Sequence, residues 1–151
     1  ERPLLKVLPN MDVVATERLP PGDALFLELF AEATSEYVWA IRREKVLSAL
    51  EGGLTADALV DFLQAKSDGL LPDNVVLFVT EQAERVSRLK DRGPAVLIEA
   101  QDAVLAQLIA NDPRTRSLCL LAGERCLVVP KKNERAFRRA LRRIGYGVRK
   151  E

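Results

Sequence analysis

Three short amphipathic segments that follow one another constrain the fold of this chain most. Residues 43–53, 56–67 and 73–89 each carry apolar side chains at helical spacing. The first segment ends in two glycines, which favour the end of a helix. Thr55 can cap the second segment, and Pro72 stands where the third begins, a position at which its missing N–H costs little. The pattern predicts three consecutive helices.

Short β-rich segments stand on both sides of these helices. Residues 4–16 are rich in Leu and Val and are interrupted at Pro9-Asn10, which predicts a strand with a kink or turn. YVWAI (37–41) combines β-branched and aromatic residues and predicts a short strand. RCLVVP (125–130) is almost entirely apolar and predicts a buried strand.

The remaining segments complete a mixed order of helices and strands. The order along the chain is strand, helix, strand, three helices, hairpin, helix, strand, helix. It predicts an α+β fold with a small sheet formed by the N-terminal strand and the C-terminal β-α-β-α part. Further helices are predicted for residues 24–36, 101–112 and 132–144, and residues 114–124 fit either a helical turn or a strand.

A hairpin predicted after the third helix gives the middle of the chain the element order of a winged helix. Residues 88–100 are predicted to form two strands around a turn signal at residues 91–94. Three helices and a hairpin, with a leading strand, predict a winged-helix-like subdomain over about residues 37–100. In that layout residues 73–89 form the recognition helix and residues 88–100 the wing.

The outward face of that predicted recognition helix is acidic. Carboxylates repel phosphate, and a helix that reads bases normally presents Arg, Lys, Asn or Gln to the groove. The sequence therefore favours packing or protein contact over base reading, while the wing offers Arg88, Lys90 and Arg92 as backbone contacts. The outward residues are expected to be Asp73, Asn74, Leu77, Thr80, Glu81, Glu84 and Arg88.

Charge is distributed unevenly along the chain. The formal net charge is +1, yet residues 131–151 hold nine Lys/Arg and two Glu, a net charge of +7. Residues 1–130 therefore carry a net charge of −6. A chain of this kind can meet a polyanion, or an acidic partner, with its C-terminal part.

The last predicted helix has one apolar and one basic face. Apolar residues at helical spacing dock it on the core, and Glu134 can pair with Arg138 one turn away. Three interpretations stay open for the outer arc: a solvated face, a phosphate-contacting face, or a face for an acidic protein. Without aromatic residues on the arc, contact with nucleic acid would be to the backbone and independent of sequence. The arc holds Arg135, Arg138, Arg139, Arg142 and Arg143.

Catalysis finds little support in the sequence, and we expect no enzyme activity. There is no histidine, which excludes Ser-His and Cys-His nucleophiles, and no phosphate-binding loop. The spacing of Cys119 and Cys126 matches no metal pattern, so we expect two buried free thiols in a reducing, cytoplasmic environment. We expect no cofactor, no metal, no small-molecule substrate and no membrane span.

Several motifs resemble the helicase-associated domain of XPB-type DNA repair helicases and related bacterial proteins. That family opens with an apolar strand, then Pro and Asn or Asp, then a second apolar run, as in LLKVLPNMDVVA here. A short helix, Gly-Leu-Thr, a second helix ending near Ser and Leu-Pro-x-Asn-Val follow. The matching residues are Val7, Leu8, Pro9, Asn10, Val13, Val14, Val46, Ala49, Leu50, Gly53, Leu54, Thr55, Leu63, Ser67, Leu71, Pro72, Asn74 and Val75, with Leu127–Pro130 and Gly145-Tyr146 near the end.

The resemblance implies a non-catalytic accessory domain that binds a protein partner. In XPB-type helicases the motor lies elsewhere in the chain, and the accessory domain docks a similar domain of a partner subunit in the repair factor TFIIH. The resemblance thus implies a partner of similar fold or a homodimer. We expect this role to be combined with auxiliary contact of the basic arc to DNA backbone. A direct DNA-binding winged-helix module, such as a transcription regulator, is the alternative. EQAERVSRLKDRG departs from the family, which has an aromatic residue and Arg-Gly there.

The start of the chain predicts how it is organised. Glu1 is followed almost directly by an apolar run, without an initiating methionine. We therefore expect a single domain over residues 1–151 that is a fragment of a longer protein.

Overall fold

The computed structural model describes residues 2–151, which form six α-helices, seven β-strands and one short 3₁₀ turn. The chain divides into two compact units, the first ending at Lys90 and the second running from Asp91 to Glu151. Both contain helices and an antiparallel sheet, so the predicted α+β class is confirmed.

The sheet of the first unit has four antiparallel strands. These are β1 (Leu5–Val7), β2 (Asp12–Ala15), β3 (Ala31–Ser35) and β4 (Val38–Ile41), in the order β1-β2-β4-β3. The break predicted at Pro9-Asn10 is the turn of the β1–β2 hairpin, where the Asn10 side-chain oxygen accepts a hydrogen bond from the Asp12 amide at 3.1 Å.

Four helices accompany this sheet: α1 (Pro21–Leu27), α2 (Arg43–Glu51), α3 (Ala56–Lys66) and α4 (Asp73–Ser87). The three consecutive helices predicted from the sequence are α2, α3 and α4, and they are confirmed. Thr55 caps α3 as expected, because its hydroxyl oxygen accepts a hydrogen bond from the Ala58 amide at 3.0 Å. The chain leaves α2 through Gly53, whose positive φ of 107° suits glycine.

The core of the first unit lies between the sheet and these helices. Leu59 and Leu63 of α3 and Val75 and Val79 of α4 are fully buried, at the spacing that the sequence pattern predicts. They join one apolar cluster with residues of all four strands.

A hydrogen bond joins two of the motif residues that carry the family resemblance. The Asn74 side-chain nitrogen, in the first turn of α4, donates to the Pro9 carbonyl in the β1–β2 turn at 2.7 Å. Residues 65 positions apart are thereby held together. This contact joins the β1–β2 turn to the segment that opens α4.

The second unit is a three-stranded sheet with two helices. Strand β7 is central and antiparallel to both neighbours, in the order β5-β7-β6. Its buried residues are Ile109, Cys119, Leu127, Val129, Phe137 and Leu141. The elements are β5 (Ala95–Glu99), α5 (Ala103–Asn111), β6 (Leu120–Ala122), β7 (Cys126–Pro130), the 3₁₀ turn Lys131–Asn133 and α6 (Glu134–Ile144).

The predicted helix over residues 24–36 is wrong in its second half. Helix α1 ends at Leu27, and residues 31–35 form the edge strand β3 paired with β4. Apolar spacing alone does not separate these states in so short a segment. Pairing with β4 decides between them, because it buries Ala31 beside Ile41.

The predicted hairpin over residues 88–100 is also wrong. Residues 88–94 form no strand, and only residues 95–99 do so, as β5, whose partner is β7. The first run is mostly charged and turns at Asp91, whose carboxylate accepts a hydrogen bond from the Gly93 amide at 2.7 Å. The apolar strand β7 is the better partner for β5, because their paired inner residues share a buried core.

The single small sheet expected from both ends of the chain is wrong as well. The N-terminal strands pair with β4 and with each other, while the C-terminal strands form a separate sheet. The segment left open between helix and strand contains β6 at Leu120–Ala122.

Replacing Asn74 by Ala removes the hydrogen bond to the Pro9 carbonyl. We expect a loss of about 0.5–1.5 kcal/mol in the free energy of unfolding, measured by urea denaturation. Glu81→Ala is the control, because Glu81 is exposed on the same helix and should change stability by less than about 0.5 kcal/mol. Equal effects of the two substitutions would contradict a stabilising role for this contact.

Candidate functional surfaces

Helix α6 is held on the second unit by its apolar face. Phe137 and Leu141 are buried and pack in one cluster with Leu127 and Val129 of β7. The helix ends at Gly145, which has a positive φ of 108° and lets the chain turn away. The predicted apolar stripe therefore fixes which side of α6 faces solvent.

Four of the five arginines predicted for the outer arc are exposed. None of them forms an ion pair with any residue in the described range 2–151. At about 100° per residue they occupy an arc of roughly 100° on the side opposite Phe137. We call this surface the arginine face; it consists of Arg135, Arg139, Arg142 and Arg143.

Arg138 differs from the other four because it is engaged within its own unit. Its side chain is 28% exposed, and its Nε and Nη2 atoms donate to Glu134 Oε2 at 3.1 and 3.0 Å. Its Nη1 atom also donates to the Val148 carbonyl at 3.4 Å. The predicted pair with Glu134 is confirmed, and Arg138 ties α6 to the C-terminal segment.

Glu134 is the one acidic residue of α6, and both of its partners lie outside the arginine face. It accepts hydrogen bonds from Lys131 Nζ at 2.7 Å and from Arg138. The bond from Lys131, followed by the bonds from Arg138, lowers the pKa of Glu134 below its ordinary value. The carboxylate thus neutralises charge beside the arginine face and leaves the face itself uncompensated.

The three basic residues of the predicted wing are exposed but do not lie on a hairpin. Arg88 is the C-cap of α4, Lys90 ends the first unit, and Arg92 lies in the turn that opens the second. None forms an ion pair with a residue of the described part of the chain. Contact of Arg88, Lys90 and Arg92 with a nucleic-acid backbone stays a prediction.

The outward face predicted for α4 is exposed at every position named from the sequence. Its carboxylates are Asp73, Glu81 and Glu84, and its only basic residue is Arg88. Asn74, the residue of this face best suited to reading a base, is already bonded to the Pro9 carbonyl. The face is therefore poorly suited to entering a DNA groove.

A second surface, which sequence reasoning missed, is the outer side of the β5-β7-β6 sheet. Leu97 of β5 and Leu120 of β6 both stand opposite Val128 of β7 in the strand register. They are 68% and 67% exposed. We call the row Leu97, Val128 and Leu120 the outer sheet face. The neighbouring β7 residues Leu127 and Val129 point to the opposite, buried side.

A signal for this face was present in the sequence. Strand β7 is apolar at successive positions instead of alternating with polar residues. Near-continuous apolar strands are typical of parallel sheets covered on both faces, whereas strands of antiparallel sheets usually alternate apolar and polar residues. Helices pack against the inner face, so the core accounts for Leu127 and Val129 but not for the apolar residue Val128 on the outer face.

The two cysteines are free thiols, as predicted. Cys119 is buried, and burial raises the pKa of its thiol, whereas Cys126 is only partly buried. Within residues 2–151 no group of three or more His, Cys, Asp or Glu side chains is placed to hold a metal ion. In the same range no helix is both long and apolar enough to cross a membrane.

Comparison with known proteins adds one finding. The family model described as the helicase conserved C-terminal domain matches residues 5–125. A comparison with curated proteins found no match. The matched range includes the Pro9 and Asn74 motif and ends just before β7, so α6 and its arginine face lie beyond it.

The lowered pKa of Glu134 predicts how its contribution to stability depends on pH. A carboxyl whose pKa is depressed by folding stabilises the protein above its unfolded value, here 4.5, and loses that contribution as the pH falls. We expect Glu134→Gln to lower the melting temperature at about pH 7, with a smaller difference from the parent at about pH 3. An unchanged difference at both pH values would contradict the ionic role of Glu134.

Proposed function

Because the chain belongs to the helicase conserved C-terminal domain family, we propose that it is a non-catalytic accessory module of a helicase-related or DNA-repair protein. In this proposal it acts in the cytoplasm by binding a protein partner of similar fold. The residues that resemble XPB-type helicases, among them Pro9 and Asn74, support an XPB-like branch of the family. The absence of histidine and of a phosphate-binding loop supports a non-catalytic role.

The observation that carries this proposal is the outer sheet face. Two leucines on the two outer strands of one sheet are each about two-thirds exposed, with Val128 of the central strand between them. The row is contiguous, unlike the singly scattered apolar side chains that are normal on a protein surface. A sheet with an apolar outer face is usually covered by a second layer.

Charge around the face is compatible with a second copy of the same chain. The flanking residues Glu99 and Arg125 neutralise each other in an ion pair of 2.9 Å. Helix α6 packs on the opposite side of the sheet, so two copies joined by their outer faces would keep their arginine faces apart. Such a pairing is self-complementary, as two-fold symmetric dimers require.

The size of the face predicts weak association. The strands lie about 4.8 Å apart and rise about 3.3 Å per residue, so β5, β7 and the shorter β6 together cover roughly 210 Å² on each copy. Twice this area is well below the roughly 1,200 Å² at which stable interfaces begin. The association therefore has to be measured at high protein concentration.

Placing charge on the outer sheet face should abolish association. We expect sedimentation velocity to show concentration-dependent dimers of the parent chain up to about 0.5 mM, in the range of weak complexes. The variant L97E/L120E should remain monomeric, because an unpaired buried carboxylate opposes pairing. Its fold should survive, since both leucines are exposed.

The matched control is L25E/L70E. Leu25 and Leu70 belong to the first unit and are 70% and 93% exposed, so the control adds the same charge to leucines at least as exposed as Leu97 and Leu120. It should dimerise like the parent. A monomeric parent at the highest concentration, or equal loss in both variants, would reject pairing through this face.

The alternative is a module that reads DNA directly through α4, as a transcription regulator does. The acidic side chains on the outward face of α4 and the absence of a hairpin over residues 88–94 argue against it. The protein-interaction function is therefore the one we adopt.

A further inference from the structure

We propose that the arginine face of α6 binds the sugar-phosphate backbone of a nucleic-acid duplex without reading its sequence. The face lies beyond the range 5–125 that the family model matches, so the inference does not derive from the family. It also does not depend on pairing through the outer sheet face, which lies on the other side of the sheet from α6.

Uncompensated charge is the first argument. Arg139 lies one turn from both Arg135 and Arg143, and like charges at this spacing destabilise a helix. No acidic residue in the described range pairs with the face, and the carboxylate of Glu134 is already bound by Lys131 and Arg138. Because the repulsion is not relieved within the chain, binding of a polyanion to the face would relieve it.

The length of the face suits a row of phosphates. Residues 135–143 extend over about 12 Å at 1.5 Å per residue. The face carries four guanidinium groups over this length, and each can neutralise one phosphate, so the face can contact up to about four phosphates. Arginine suits this ligand, because its planar guanidinium can donate two parallel hydrogen bonds to one phosphate.

The composition of the face distinguishes a duplex backbone from other acidic partners. The face has no aromatic side chain on which unpaired bases could stack, since Phe137 is buried on the other side of α6. It also has no exposed large apolar residue, whereas protein interfaces are normally built around an apolar centre. A regular polyanion such as the duplex backbone fits both observations.

The test is fluorescence anisotropy of a labelled duplex of mixed sequence, titrated with the 151-residue chain. Three or four phosphate contacts predict that affinity falls roughly 40- to 150-fold between about 50 mM and about 200 mM salt. Duplexes rich in A·T and in G·C should bind with affinities within about threefold of each other, because backbone contacts carry no sequence information.

Two variants with equal loss of positive charge localise the binding. R135Q/R139Q/R142Q/R143Q removes the arginine face, and glutamine preserves helix propensity. We expect it to bind at least about 40-fold more weakly than the parent at about 50 mM salt, with a flat salt dependence. K6Q/R43Q/K45Q/R85Q removes four positive charges from the first unit, at residues with no ion pair in the described range, and should bind nearly as the parent does.

Four outcomes would overturn the inference. Absence of duplex binding at low salt would exclude the site. If both quadruple variants weaken duplex binding equally and keep an unchanged circular dichroism spectrum, net charge and not the arginine face would explain the binding. Tighter binding to oligo(dT) than to duplex would indicate a single-strand site. Equally tight binding to labelled polyglutamate would identify the face as a site for an acidic protein.

Discussion

The central strand β7 is the element on which both proposed surfaces depend. Its inward residues, Leu127 and Val129, are buried against helices of the same unit, and its outward residue, Val128, lies between two exposed leucines. Side chains of a strand alternate between faces, so one strand supports α6 on one side and the apolar row on the other. A change in its register by one residue would exchange the two faces.

The elements that could be predicted from sequence are those whose signals are local. Helices α2, α3, α4 and α6 carry long apolar stripes with caps or glycine stops, and each forms within a few residues of the predicted bounds. The exposed face of α4 and the Glu134–Arg138 pair follow from the same periodicity. Local sequence patterns therefore predict most of the helices and all four residues of the arginine face.

The elements that could not be predicted depend on partners distant in the chain. Residues 31–35 become a strand because β4 pairs with them, and β5 pairs with β7 about 30 residues later instead of with its neighbour. Arg138 is bound by Glu134 and also by the Val148 carbonyl, whose position follows from the turn after α6. The outer sheet face required the register of three strands, which composition alone does not provide.

The geometry of the second unit also determines how the two proposed activities would combine. In a dimer joined by outer sheet faces, each α6 would lie on the far side of its own sheet, giving four layers in the order helix, sheet, sheet, helix. The two arginine faces would then point in opposite directions and could not engage one short duplex together. Dimerisation would therefore add no avidity on a single duplex, because avidity requires both sites to reach the same ligand. It would instead allow one dimer to bridge two duplexes.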